Sequence, residues 1–405
     1  MAVGLSLGNK GITPIRMQPK EKIAFRHVLC NDGPGIKRLY HSDNLDALSF
    51  LQKDSDVCGK VTLIYIDPPY NTGGVFETRD FKLAYADKYD MEEYLCFMRK
   101  RFVIMRELLS EAGSIYVHLD SNMVFHIKVI MDEIFGRKNF KGMITRKKCK
   151  SKNFTRKTYG NISDYILFYT KTDNPIWNRP YQEWDEDKIS KEYPFIEADT
   201  GRRYKRVPIH APGTRNGATG EPWHGMMPPE GKHWQFTPDK LEAMDKRGEI
   251  YWSANGNPRR KVYLDQSKGV PVQDIWLDFL DIDNQNTKIT GYPTEKNIHL
   301  LERIIEASSK KGDIVMDCFA GSGTTLVAAE KLDRQWIGID IGEEAIATIK
   351  KRFGEGTKPL GSYVKKKKTT DKSIGDLFGN VSLYINNDKE TKEQTKTSFD
   401  LFEGI

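Results

Sequence analysis

The feature that most constrains this chain is the order in which two strand endings occur. An apolar run over residues 61–66 delivers Asp67-Pro68-Pro69-Tyr70, and a second run over 314–318 opens into Phe319-Ala320-Gly321-Ser322-Gly323-Thr324-Thr325. Between and around them the pattern alternates. Leu45, Leu48 and Leu51 stand at helical spacing behind Ser42-Asp43-Asn44, a cap that places Asp43 at a strand-to-helix junction. An amphipathic helix is expected over 91–109, with Met91, Tyr94, Leu95, Met98, Phe102, Met105 and Leu109 on one face, then a strand over 114–119 and a helix over 122–135. The alternation resumes with a helix over 295–308, the strand of the glycine turn, a helix from Thr324 to about 332, and a strand over 335–340. Alternating strands and helices imply an α/β architecture with a parallel sheet. Open sheets of this kind bind ligands at the carboxyl ends of their strands. The two endings, far apart in sequence, are therefore expected to share one cleft.

The segment between them has a different texture. Twelve of the 18 prolines and six of the seven tryptophans fall within 174–293, and helical periodicity is weak outside 237–246. Disordered segments are poor in aromatics, so this reads as a loop-rich folded insertion with short strands such as 165–169, its tryptophans mostly serving its own core. Net charge is only +7, but its distribution is uneven: residues 137–157 carry ten basic residues and no acidic one. Within that run Arg146, Lys147, Lys148, Lys150, Lys152, Arg156 and Lys157 are the candidate phosphate contacts. Five widely spaced cysteines argue for neither a disulfide framework nor a zinc site, and no metal is expected. No apolar stretch approaches the roughly 20 residues of a membrane span, and residues 1–19 lack the pattern of a secretory signal. These readings point to a cytoplasmic location. The lysine-rich tail beyond 358 reads as a partly ordered appendage with a strand over 381–385.

Each ending has its own chemistry. The turn containing Gly321 and Gly323, between a strand ending at Asp317 and a following helix, aims backbone N–H groups at a bound polar group. Asp340, ending the next strand, is placed to accept from both hydroxyls of a ribose. Alone, such a motif serves nicotinamide, flavin and methyl-donor sites alike. The Asp67 motif is more specific. The exocyclic amino group of a nucleobase has its lone pair delocalised into the ring, and it becomes nucleophilic when acceptors draw it toward tetrahedral geometry. Asp67 supplies a carboxylate, Pro68 a carbonyl fixed by two proline rings, and Tyr70 a flat face for a base taken out of the stack.

Taken together, these motifs resemble the amino-group DNA methyltransferases of the circularly permuted beta class, a group rich in adenine-specific enzymes of restriction–modification systems. The likeness rests on Asp67-Pro68-Pro69-Tyr70 with the following Asn71-Thr72-Gly73, on Phe319 to Gly323, on Asp340, and on Gly291-Tyr292-Pro293-Thr294-Glu295-Lys296. It departs at Cys318, where proline is common, and at Glu295, where glutamine is frequent. The resemblance implies a Rossmann-like S-adenosylmethionine-dependent fold, circularly permuted, with a mixed, mostly parallel sheet and helices on both faces. It divides the chain into a catalytic half (1–139), an inserted target-recognition region (140–290), a cofactor-binding half (291–357) and the basic appendage (358–405). Catalysis would fall to Asp67, Pro68, Pro69 and Tyr70. The methyl donor, S-adenosylmethionine, would be held by Asp43, Asp67, Thr294, Lys296, Asp317, Phe319, Gly321, Ser322, Gly323, Thr324 and Asp340.

The activity so implied is site-specific transfer of a methyl group to N6 of a flipped adenine. Double-stranded DNA is the substrate, and a second copy of the chain and a restriction subunit are candidate partners. Three rivals stand beside it: N4-cytosine methylation, a catalytically silent DNA-binding module, and a dinucleotide-dependent oxidoreductase. The last leaves Asp67-Pro68-Pro69-Tyr70 and the basic run without a purpose.

Overall fold

The computed structural model describes residues 25–29, 35–70, 75–77, 83–86, 90–150, 157–281, 295–355 and 381–386. They form two compact units, one of Arg179–Val272 and one of the remainder.

The larger unit is built on a ten-stranded sheet of β1 (Phe25–Leu29), β2 (Lys37–His41), β3 (Val61–Ile66), β4 (Leu109–Leu119), β5 (Phe140–Lys147), β6 (Ser163–Thr170), β7 (Ile275–Trp276), β8 (Ile314–Asp317), β9 (Gln335–Asp340) and β10 (Ser382–Asn386), in the spatial order β1-β10-β2-β9-β8-β3-β4-β6-β5-β7. Only β1 and β6 run against the rest. The sheet is thus mixed and mostly parallel, as expected. The central strands are covered on both faces: every residue of β3 and β8 is buried, which explains their continuous apolar runs.

Helices close the connections. α1 (Asn44–Leu51) is capped by Asp43, whose carboxylate accepts from the Leu45 N–H at 2.8 Å. α2 (Met91–Leu108) is capped by Asp90 and buries Tyr94, Met98, Phe102 and Met105 along one face, while Met91, expected on that face, is 40% exposed in the first turn. α3 (Val124–Met131) passes into a wider turn over Asp132–Gly136, ended by Gly136 at φ +88. α4 (Ile298–Ser308) starts three residues later than its periodicity suggests, because Asn297 caps it and accepts from the His299 N–H. α5 (Thr324–Lys331) follows the glycine turn, and α6 (Glu343–Glu355) was not evident from periodicity. The late strand lies at Ser382–Asn386, between β1 and β2.

The insertion differs from its expected bounds of 140–290. β5 and β6 form an antiparallel pair that extends the main sheet, and β7 adds to its edge, so the separate unit begins at Arg179 and ends at Val272. That unit holds a four-stranded sheet of Phe195–Ile196, Arg203–Pro208, Pro258–Tyr263 and Ile250–Trp252. Its core gathers Ile209, Trp223, Trp234, Leu241, Met244 and Ile250, and the Trp223 ring stacks on Trp252 at 5.2 Å. No helix among the described residues is long and apolar enough to cross a membrane.

Candidate active site

Because β2, β9, β8 and β3 are adjacent and parallel, their carboxyl ends lie along one edge. That edge carries Asp43, Asp340, Asp317 and Asp67 in turn, although 43 and 67 belong to one end of the sequence and 317 and 340 to the other. The Ser42 N–H donates to the Asp340 carbonyl at 3.0 Å, joining two of these endings directly.

At the end of β3 the carboxylate of Asp67 is held by two donors. The Tyr70 hydroxyl donates to Oδ1, and Lys296 Nζ lies 3.0 Å from Oδ2 and 3.3 Å from the Tyr70 oxygen. All three side chains are half-buried. Burial first, and the neighbouring Asp67 charge second, push the Tyr70 hydroxyl well above the ordinary phenol range, so that it stays a donor. Pro68 is buried and Pro69 half-buried. The sequence assigned Lys296 to the donor and Asp67 to both donor and base; the structure joins them in one ion pair. Thr294 lies outside the described residues.

The glycine turn is braced from several sides. Gly321 and Gly323 have φ of +49 and +74, the left-handed region that glycine enters without a side-chain penalty. The Asp340 carboxylate accepts from the N–H groups of Gly321 and Gly342, each at 2.8 Å. Asp317 accepts from the Phe319 N–H at 3.0 Å and the Thr325 hydroxyl at 2.6 Å and is 3% exposed. Asp317 therefore buttresses the turn from within. Burial pushes its carboxyl up to about 7, against the Thr325 and Phe319 donors and with the charges of Asp67 and Asp340. Ser322 and Thr324 are buried, and Nη1 of Arg352, on α6, donates to the Ser322 carbonyl at 3.1 Å and to the Thr324 hydroxyl at 3.0 Å. Phe319 is half-buried, its ring 6.2 Å from Phe97. Asp43 is 40% exposed at its side chain and pairs with Arg101 at 3.2 Å. Arg101 also donates to Asn44, and Asn44 Nδ2 donates to the Cys318 carbonyl at 2.8 Å. Neither arginine was anticipated. Each interrupts an apolar helical stripe, Arg101 among Met98, Phe102 and Met105 and Arg352 among Ile349 and Phe353, and that interruption is the signal in the sequence.

The basic run divides in two. Arg146 is 0% exposed: Nε and Nη2 form a fork with Asp164 at 2.8 and 2.6 Å, and Nη2 also reaches Asp281 at 2.7 Å. It cannot reach a phosphate, which corrects its place among the expected contacts. Its partner Asp164 also lies 2.9 Å from His118, whose other ring nitrogen is 2.8 Å from the Tyr65 hydroxyl. Although burial opposes its charge, His118 and Arg146 hold the Asp164 carboxyl well below the usual range. Lys147, at the end of β5, and Lys148 are half-buried, while Lys150 and Lys157 are exposed. β5 runs parallel to β3, so these lysines leave the sheet at the edge that carries Asp67. Lys152 and Arg156 lie outside the described residues.

A family described as DNA methylase, the N6/N4 amino-methyltransferases, matches residues 61–352 of this chain. The chain belongs to this family. Its span takes in both the Asp67 motif and the glycine turn. Among curated relatives, the Type II methyltransferase M.EcaI of Enterobacter cloacae is 50% identical over 323 residues, which are 80% of this chain and 70% of the relative. The Type II methyltransferase M.KpnI of Klebsiella pneumoniae is 30% identical over 73% of this chain and 76% of its own length. The StyLTI Mod subunit, of a Type III restriction-modification enzyme of Salmonella typhimurium, is 29% identical over 72% of this chain, which spans 49% of that subunit. The chain is thus a DNA methyltransferase of the restriction–modification type, acting with S-adenosylmethionine on an exocyclic amino nitrogen. The site suits that donor: two half-buried carboxylates, Asp43 and Asp340, on adjoining strand ends for a nucleoside, the Phe319 ring between helix and turn, and the Lys296 ammonium for an amino-acid carboxylate.

Proposed function

We propose that the chain methylates N6 of adenine in duplex DNA, with Asp67, Pro68, Pro69 and Tyr70 receiving the flipped base. The observation that carries this reading is the Asp67–Lys296–Tyr70 cluster on the strand beside the glycine turn. Bound S-adenosylmethionine supplies an electrophilic methyl group on a sulfonium. Lys296, 3.0 Å from Oδ2, orients the Asp67 carboxylate as an acceptor. On entry of a base, its amino N–H groups take over acceptor positions on Asp67 and on the Pro68 carbonyl, which draws the nitrogen lone pair out of the ring. The Tyr70 ring, released from Asp67, then supports the base face. Asp67 is not asked to deprotonate a neutral aromatic amine beforehand; as the new N–C bond forms and the sulfonium C–S bond breaks, the nitrogen becomes cationic and its proton passes to the Asp67 carboxylate and on to water.

Donor contacts are assigned to Asp43, Lys296, Phe319, Asp340 and the backbone of Gly321 to Gly323, with Ser322, Thr324 and Asp317 holding the turn. Lys147, Lys148, Lys150 and Lys157 are assigned to DNA phosphates, and the aromatic unit within 140–290 to target recognition. The reading includes a homodimer and a restriction subunit as partners and the cytoplasm as the site of action.

The test is incubation with duplex DNA and methyl-labelled donor, followed by digestion to nucleosides. N6-methyladenine is expected, and labelled N4-methylcytosine overturns the choice of base. Asp67→Ala is expected to lower turnover by about 10²- to 10⁴-fold with donor binding retained. Full activity in that variant refutes the catalytic assignment.

A further inference from the structure

Arg352 and Glu295 lie far from each other in sequence and are each 5% exposed at their side chains, with Nη1 and Oε1 3.1 Å apart. A buried charge pair is costly to desolvate, and it is retained at little net gain in stability unless its geometry serves something else. Here the geometry has two outlets. The same Arg352 Nη1 that meets Glu295 donates to the Ser322 carbonyl and the Thr324 hydroxyl, on either side of Gly323. Glu295 is the residue immediately before Lys296, and Lys296 is the cation on Asp67 and Tyr70. Polar contacts therefore run from the glycine turn through Arg352 to Glu295, and from there a single peptide bond leads to Lys296 and its contact with Asp67. The burial of Arg352 works against its charge, and Glu295 opposes that effect.

We propose that Arg352 and Glu295 are positioning residues that fix the donor-binding turn and the Lys296–Asp67 pair relative to each other, so that the methyl donor and the acceptor carboxylate are set by one buried ion pair. Neither touches substrate. The proposal rests on the reading of the glycine turn as the donor cradle. Loss of a charge-assisted contact at the turn is expected to weaken donor binding, and loss of the Glu295 anchor to slow transfer at saturating donor.

The experiment measures S-adenosylhomocysteine affinity by calorimetry, DNA affinity by fluorescence anisotropy, and single-turnover methylation for the full chain. Arg352→Gln is expected to raise the Kd for S-adenosylhomocysteine about 10- to 100-fold while the DNA Kd stays unchanged. Arg352→Lys, which keeps the charge but not the planar fork, is expected to recover part of the loss. Glu295→Gln, nearly isosteric and the milder change, is expected to slow single-turnover methylation at saturating donor while changing DNA affinity little. If Arg352→Gln fails to unfold cooperatively, Glu295→Gln alone decides. An unchanged donor Kd in folded Arg352→Gln, a parallel loss of donor and DNA affinity, or an unchanged single-turnover rate in Glu295→Gln overturns the proposal. Failure of the unsubstituted chain to bind S-adenosylhomocysteine instead overturns the reading of the turn itself.

Discussion

Replacing Gly323 with alanine tests whether the turn is as tightly specified as its geometry implies. Gly323 has φ +74, and a Cβ there would stand 2.7 Å from Cγ1 of Ile349, inside the 3.0 Å that real Cβ atoms essentially never cross. Ile349 is 1% exposed, so it has little room to move away. Two costs add. An L-residue in the left-handed region loses about 1–2 kcal/mol, and forcing a methyl group into a packed contact loses about 1–3 kcal/mol more. The expected loss is about 2–5 kcal/mol, a large share of the roughly 5–15 kcal/mol that holds a domain folded. Gly59 supplies the control: its φ is +71, yet nothing lies within 4 Å of its added Cβ, so Gly59→Ala is expected to cost only about 1–2 kcal/mol. Urea unfolding followed by circular dichroism measures both. Adding Ile349→Ala to Gly323→Ala should return part of the contact cost, seen as a coupling of about 1–2 kcal/mol in the double-mutant cycle. If the two alanine variants lose stability equally, within about 0.5 kcal/mol, the close approach of α6 to the turn does not constrain it.

Two further perturbations separate charge from burial. Arg146→Ala is expected to cost about 3–5 kcal/mol by leaving Asp164 buried without its fork, with no change in the salt dependence of DNA binding. Lys148→Ala should leave stability unaltered and reduce the slope of log affinity against log salt by about one unit; the reverse pattern refutes the division of the basic run. Asp317→Asn tests the raised carboxyl. With the folded value near 7 and the ordinary value at 3.8, the stability contributed by the proton on Asp317 is fully present below the ordinary value and is lost as pH rises through 7. The unfolding free energy of the unsubstituted chain, relative to Asp317→Asn, should therefore fall by about 1.4 kcal/mol per pH unit inside that window. A difference that is flat between pH 4.5 and 7 in urea titrations contradicts it.

Much of the fold was legible because the central strands are buried on both faces and the helices carry clear apolar stripes. The strand ending at Asp67 and the cap at Asp43 lie where their residues demand. The insertion boundary was harder to place, because β5 and β6, of mixed burial, join the main sheet through an antiparallel pairing that no local pattern announces. α6 was missed because Lys350, Lys351 and Arg352 break up its apolar run in the sequence. Arg146 was misread for a reason composition cannot supply: its neutralising carboxylates, Asp164 and Asp281, lie 18 and 135 residues away. The candidate donor and base residues were found as two separate motifs. What joins them, Lys296 on Asp67 and Arg352 on Glu295, depends on pairings more than 50 residues apart, which no local pattern carries.

The spatial order β2-β9-β8-β3 also governs how the molecule is made. β2 and β3 are successive strands of the early chain, yet they do not pair; the two strands between them are synthesised some 250 residues later. A nascent chain that has emerged only as far as the insertion lacks both strands that separate β2 from β3 in the finished sheet. Adding them needs contacts of high sequence separation, which form slowly. Exposed strand edges are where partly made chains associate wrongly. Residues 314–340 supply β8, the glycine turn and β9, so the edge that aligns Asp43, Asp340, Asp317 and Asp67 cannot be complete before this late stretch of chain has been made.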